Sequence, residues 1–262
     1  MSTPARQWDD LRARLITSVV LLLVGGFAIY MGGPLLLVVV AAFAGAMIWE
    51  LVTMLSPDQK RAALVLPLLS ALAVLGVATD IPFWAIILVP LVAGFAWLAE
   101  GKGTFFLYGL VVLTGTACFY VVREQDGIKL EILIVLIVVI TDVAGYFVGR
   151  FVGGPKFWPR VSPKKTWSGT VAGWVCSAIV GVILTGNSSY GAWVIVVCVA
   201  LSLASQLGDI GESVIKRRVG VKDGSNLLPG HGGFVDRFDG MIAAFAGWAV
   251  IALLTDAVSG PF

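Results

Sequence analysis

Between about residues 15 and 258 the chain is a succession of apolar runs, most of them close to twenty residues long, parted by brief polar or Gly/Pro breaks. A helix needs about 20 mostly apolar residues to cross the hydrocarbon core of a bilayer. No other feature restricts the fold so strongly. Only 13% of the 262 residues are charged and 58% are hydrophobic, whereas soluble domains carry about 25% charged residues. The fold class expected is therefore all-α, a polytopic integral membrane protein with little room for a separate soluble domain.

The breaks divide the chain into nine expected spans, near 15–32, 34–55, 62–79, 81–99, 105–122, 130–149, 171–186, 191–207 and 241–258. The distribution of Lys and Arg tests that count, because cytoplasmic loops of membrane proteins are enriched in both. With the N-terminus and its Arg6, Arg12 and Arg14 in the cytoplasm, every basic residue except Arg123 and Lys129 falls on the cytoplasmic side. Nine spans and an external C-terminus support one another. Residues 1–129 read as an N-terminal scaffold of about five helices, and 130–262 as a C-terminal region of about four helices that carries the chemistry. Cys118, Cys176 and Cys198 lie inside apolar runs without metal-ligand or C-x-x-C spacing, and read as small buried hydrophobes. The first apolar run has a basic flank but is longer than a signal-peptide core, so it reads as the first span.

Two cytoplasmic loops, 150–170 and 208–240, concentrate polar chemistry. Asp209 and Glu212 are three residues apart, as are Asp236 and Asp239, and each pair shares a face if its segment is helical. Asp142 lies about two turns inside the sixth span. Carboxylates at such depths are costly and mark functional candidates, and hard oxygen ligands of this kind suit Mg²⁺ together with substrate phosphates. Simpler readings stand beside these. Glu212 precedes Lys216 by four residues, the spacing of an ordinary helical ion pair. Asp239 is placed to cap a last helix starting near Gly240.

The stretch "SPKKTWSG" reads as a helix start, with Ser162 as cap and Pro163 in the first helical position. Lys164 and Lys165 would then occupy the first turn, against the helix dipole. Either a polyphosphate bound there or anionic headgroups beside the loop would account for them. In "LLPGHGGFVDRFDG", glycines surround the only histidine, His231. They permit tight turns and a close approach of backbone to ligand. Neither a Walker A loop nor a dinucleotide-binding G-x-G-x-x-G unit occurs. Taken together, carboxylates, lysines, arginines and glycines at one membrane face suit phosphoryl or nucleotidyl transfer on a lipid phosphate.

The run "SVIKRRVGVKDGSNLLPGHGGFVDRFD" resembles the signature of the phosphatidate cytidylyltransferases. It supplies Ser213, Lys216, Arg217, Lys222, Asp223, Pro229, Gly230, His231, Gly232, Gly233, Asp236, Arg237 and Asp239 without a gap. "SQLGDIGESVIKR", "DVAGYFVGR" and "SPKKTWSG" resemble further elements of that family, and Glu50 fits a glutamate the family tends to carry early. Two positions depart from the pattern. Ser168 stands where the family usually has glutamate, and Gly145 stands where an alanine precedes the tyrosine.

The resemblance implies transfer of CMP from CTP to phosphatidate, with Asp209 and Asp236 holding Mg²⁺ and a second divalent or monovalent cation. It implies that Lys164 and Lys165 hold the CTP phosphates, with Asp142 orienting a metal or its ligands. Lys216, Arg217 and Lys222 would hold the lipid headgroup or the leaving pyrophosphate, and His231 would contact a phosphate. Ser213, Asp223, Arg237 and Asp239 complete the expected substrate-binding set. CTP would enter from the cytoplasm at an inner plasma membrane and phosphatidate from the bilayer. A homodimer fits the family, and no nucleic-acid partner is expected. The rival readings are the same transfer onto an ether-lipid phosphate, a membrane transporter built around Asp142, and a regulatory protein that has lost the chemistry through Ser168.

Overall fold

A computed structural model describes residues 4–79, 81–187, 191–225, 227–228, 230 and 232–259. Nine α-helices occur among them: α1 (Pro4–Met31), α2 (Gly33–Leu55), α3 (Ala62–Leu75), α4 (Phe83–Trp97), α5 (Lys102–Val121), α6 (Ile128–Phe151), α7 (Trp167–Asn187), α8 (Trp193–Val219) and α9 (Val235–Ser259). The fold is all-α and polytopic, as expected.

Seven of the helices are long and apolar enough to cross a membrane, whereas α3 and α4 are shorter. Those two contain Pro67 and Pro90 and pack on each other. Their outer-chain ends are clasped together: Gln59 Nε2 donates to Trp97 O at 3.4 Å, and its Oε1 accepts from Ala99 N at 3.0 Å. Because the pair leaves and returns at one end, its length does not alter the sidedness of the helices after it.

The core fills two regions. Met47, Ile48 and Leu51 of α2 bury against Phe105 and Leu113 of α5 in one, and Ile134, Ile137, Leu201 and Phe245 form the other. Helices approach closely where side chains are small, the usual device for association in lipid. A Cβ on Gly208 would collide with the Asp239 carbonyl, so α8 and α9 meet almost backbone to backbone beside two candidate acids.

The second expected loop, 208–240, is corrected by the structure. Here α8 continues past the apolar run to Val219, and α9 begins at Val235. Asp209, Glu212, Ser213, Lys216 and Arg217 therefore sit on a helix, and the connecting loop is confined to 220–234. Charged residues end a membrane span but not a helix, since Glu, Lys and Arg are good helix formers. What stops α8 is Gly220, which takes the left-handed conformation (φ 77°) of a helix C-terminus.

At the end of the bundle away from the polar loops, Arg123 Nε donates to Ile29 O at 2.7 Å, and its Nη2 to Tyr30 O at 3.1 Å. Glu124 accepts from Gly33 N at 2.7 Å. These bonds hold the tight turn between α1 and α2. Arg123, one of the two basic residues outside the set expected in the cytoplasm, thus has a structural task.

Candidate active site

The first polar segment folds as a hairpin. After α6, Gly153 and Gly154 have positive φ and turn the chain into β1 (Lys156–Trp158), which pairs antiparallel with β2 (Ser162–Thr166). The helix expected to start at Ser162 and Pro163 does not; α7 begins at Trp167. Pro163 suits either setting, because its missing N–H is tolerated in the first helical turn and equally at an irregular strand. The pairs Lys156–Thr166 and Trp158–Ser162 leave β2 with more residues than β1 between them, and Pro163 lies in that irregular stretch.

The residue that caps α7 is Thr166, whose Oγ1 accepts from Gly169 N at 3.2 Å. Ser168 donates to Gly153 O and lies 3.0 Å from the Thr166 hydroxyl. At the position of the family's glutamate, the serine thus ties the helix start to the glycine turn. Lys164 and Lys165 precede the helix rather than opposing its dipole.

This hairpin walls a cavity of about 710 Å³ with α6, α7 and α8, lined by Asp142, Lys164, Lys165 and Asp209 among others. Lys165 Nζ is 2.5 Å from Asp209 Oδ2, and both side chains keep partial access to solvent. Asp142, Tyr146 and Arg150 follow at four-residue intervals along α6 and all line the cavity. Arg150 Nη1 donates to the Tyr146 hydroxyl at 2.7 Å. Below, Thr141 donates to the Ser202 hydroxyl at 2.8 Å and lies 3.2 Å from that of Ser177, linking α6, α7 and α8. Gln206 accepts from Trp174 Nε1 at 2.9 Å and donates to Thr170 O at 3.2 Å. Buried hydrogen bonds of this kind hold a cavity floor in one arrangement.

A second cluster forms where α8 meets the 220–234 loop. Lys216 Nζ is 2.7 Å from Glu212, the ion pair that the spacing indicated, and 2.5 Å from Asp236 Oδ1. The other oxygen of Asp236 accepts from Gly224 N at 3.0 Å and Gly233 N at 2.8 Å. Glu50, fully buried on α2, accepts from Phe234 N and Val235 N, each at 2.7 Å, and from the Ser225 hydroxyl. A carboxylate there satisfies free amides at the start of α9 and faces the positive end of its dipole.

Asp239 lies one turn inside α9 rather than capping it; its Oδ1 accepts from Gly240 N at 2.8 Å. Gly240 in turn gives room to Asp209, whose Oδ1 would lie 3.0 Å from any Cβ placed there.

Six of the predicted residues fall into two groups. Asp142, Lys164, Lys165 and Asp209 surround the cavity. Lys216 and Asp236 join Glu212 beneath the glycine loop. Ser213 is half-buried on α8, while Arg217, Lys222, Asp223 and Arg237 are exposed. His231 lies outside the described residues.

Among the described residues no three His, Cys, Asp or Glu side chains converge on a metal position. The cavity wall nevertheless offers two carboxylates, Asp209 and Asp142, beside space for phosphate. That donor set fits Mg²⁺, which takes one or two carboxylates and completes its shell with water and phosphate oxygens. Asp236 is not among the cavity-lining residues, and both its oxygens are engaged.

The profile of the cytidylyltransferase family matches residues 12–255. The chain belongs to that family. Relatives named phosphatidate cytidylyltransferase include one from Brucella suis, 46% identical over 126 residues, or 47% of this chain and 46% of the relative. One from Staphylococcus haemolyticus is 41% identical over 128 residues, covering 48% and 49%. Another, from Mycobacterium leprae, is 37% identical over 162 residues, covering 60% and 52%. The chain spans about half the length of the curated relatives it matches.

Sequence reasoning passed over Tyr146, Arg150, Thr166 and Gln206, which line or support the cavity, as site residues. The signal for the first two was available in their four-residue spacing from Asp142. Thr166 and Gln206 had no local signal.

Proposed function

We propose that the chain transfers CMP from CTP to the phosphate of phosphatidate, releasing pyrophosphate and leaving CDP-diacylglycerol. The bundle end bearing the hairpin and the 220–234 loop faces the cytoplasm at an inner plasma membrane. The observation that carries this reading is the cavity where Lys164 and Lys165 meet Asp142 and Asp209, large enough for a nucleotide and set at the end of membrane-crossing helices. Family membership and the names of the relatives support it.

The nucleophile is a phosphate-monoester oxygen. With a second pKa of about 6, as in phosphoserine, it is largely dianionic near neutral pH, so no strong general base is required. The barrier lies in bringing two polyanions together and in stabilising charge on the departing pyrophosphate. Lys164 and Lys165 hold the CTP phosphates and fix their orientation. Their charge, offered from a preformed strand, stabilises the transition state more than the separated reactants. Asp209, ion-paired with Lys165, keeps that ammonium directed into the cavity. Asp209 with Asp142 would hold Mg²⁺, which when bound neutralises phosphate charge. Asp236 would reach a second cation only by exchanging Lys216 or the loop amides for it. Arg217 and Lys222, exposed at the same end, attract the lipid headgroup or the leaving pyrophosphate.

The test is conversion of phosphatidate by purified protein in detergent micelles, following labelled CMP into lipid and measuring pyrophosphate. Runs with Mg²⁺, with chelator, and with ATP, GTP or UTP in place of CTP complete it. Mg²⁺-dependent, CTP-selective labelling is expected. Folded protein that neither binds CTP nor labels phosphatidate would refute the proposal.

A further inference from the structure

A second cavity, of about 460 Å³, lies between α5, α8 and α9, on the far side of α8 from the nucleotide cavity. Along α8 its wall is made by Ala204, Gly208, Gly211, Ile215 and Arg218. With 3.6 residues per turn these share one face, whereas Gln206 and Asp209, which line the nucleotide cavity, point the opposite way. The one charged residue of the wall is at one end: Arg218 closes α8 opposite Thr104, where α5 begins, while Tyr108 packs lower down beside Gly211 and the remaining wall is apolar. Arg218 is exposed and has no ion-pair partner among the described residues. From Ala204 to Arg218 the groove rises about 21 Å, enough to run from headgroup level past the half-thickness of the hydrocarbon core, about 15 Å.

We propose that this groove is a phospholipid site. Its occupant is an intact anionic glycerophospholipid of the cytoplasmic leaflet, with its phosphate on Arg218 and one acyl chain along the apolar wall, and it is not the phosphatidate undergoing reaction. Three observations select that ligand. A cation at the rim and an apolar wall beneath it match an amphiphile with an anionic head. The length matches a single leaflet. A phosphate on Arg218 stands across α8 from Lys165 and Asp209, which excludes it from reacting with a nucleotide bound there.

The exclusion of phosphatidate as the occupant rests on the function proposed above; the binding itself does not. The groove also abuts the candidate site, since Gly208 packs against the Asp239 backbone. A resident lipid would therefore hold the α8–α9 seam from its lipid-facing side.

The test uses the full chain in nonionic micelles with phosphatidylglycerol bearing a diazirine on one acyl chain, irradiated and mapped by peptide mass spectrometry. Labels are expected at Leu107, Val111, Leu207 and Val250. Arg218→Ala should reduce them about fivefold, as expected for loss of one basic side chain at a membrane surface, while labels on the exposed face of α1 stay unchanged. Ala246→Phe, which fills the groove, should remove them. A phosphatidylcholine probe should label the groove more weakly than phosphatidylglycerol.

Three results would overturn the proposal: labelling that neither variant changes, cross-links between two copies of the chain at these residues, or displacement of the probe by phosphatidate alone. If CMP transfer is measurable, Arg218→Ala should leave the KM for phosphatidate unchanged, and a raised KM would make the groove the acceptor site. Absence of transfer would count against the proposed reaction and leave the labelling result standing.

Discussion

Glu50→Gln tests how far the N-terminal helices shape the candidate site. The carboxylate is fully buried; one oxygen accepts from Phe234 N and the Ser225 hydroxyl, the other from Val235 N. Glutamine has nearly the same volume, so packing on α2 is preserved. Its amide oxygen can still serve Phe234 and Ser225, but its NH₂ group then faces the Val235 N–H, donor against donor. One charge-assisted hydrogen bond is lost, about 1.5–3 kcal/mol, and the others lose their charge. The 220–234 loop should open more easily by about 3 kcal/mol, equivalent to on the order of a hundredfold in the opening constant. Amide hydrogen exchange of the purified protein in micelles reads this directly. Peptides covering 223–238 should exchange on the order of a hundredfold faster, while those from α6 and α7 stay as in the parent protein. Unchanged exchange at Phe234 and Val235 would show that Glu50 does not hold the loop, and the argument from its three hydrogen bonds would fail.

The two candidate metal ligands separate by a similar experiment. Asp209→Asn should raise the Mg²⁺ concentration needed for half-maximal CTP binding by about tenfold or more and leave loop exchange intact. Asp236→Asn should speed loop exchange first, and a raised Mg²⁺ requirement with an intact loop would show instead that Asp236 is a ligand. Gly169→Ala would drive a methyl group into the Gly145 carbonyl and to 3.3 Å from Gly149 Cα. It should lower stability by about 1–3 kcal/mol, read as a reduced melting temperature in micelles. Gly145→Ala, whose Cβ would meet Gly169 O at 3.4 Å and its carbonyl carbon at 3.9 Å, both ordinary contacts, should melt within about 0.5 kcal/mol of the parent, consistent with the alanine usual at that position. Ser168→Ala removes the bond to Gly153 O and should raise the Kd for CTP about fivefold through a looser hairpin, measured by titration; unchanged affinity would remove Ser168 from the account.

Run length and charge placement are local properties of a chain, and what depends on them was legible in the sequence. Apolar runs separated the helices without any knowledge of packing. The four-residue spacing of Glu212 and Lys216 announced their ion pair, because a helix places such residues side by side. Misreadings arose where a local signal admits two outcomes. Ser162–Pro163 suits a helix start or an irregular strand, and only pairing with β1, which supplies partners for the backbone, selected the strand. The charges after Gln206 mark the end of an apolar run but not of a helix, because the backbone bonds of α8 continue to Gly220 irrespective of the surrounding solvent.

The division of the site was decided by tertiary structure alone. Asp209 and Asp236 carry the same side chain, yet one lines an open cavity and the other is enclosed by Lys216 and two amides of the glycine loop. Glu50 reaches that loop across 184 positions of sequence to Phe234. No local rule transmits a pairing over such a separation. It arises because α2, α8 and α9 pack together at one end of the bundle, where a buried carboxylate and the free amides at a helix start can satisfy only one another.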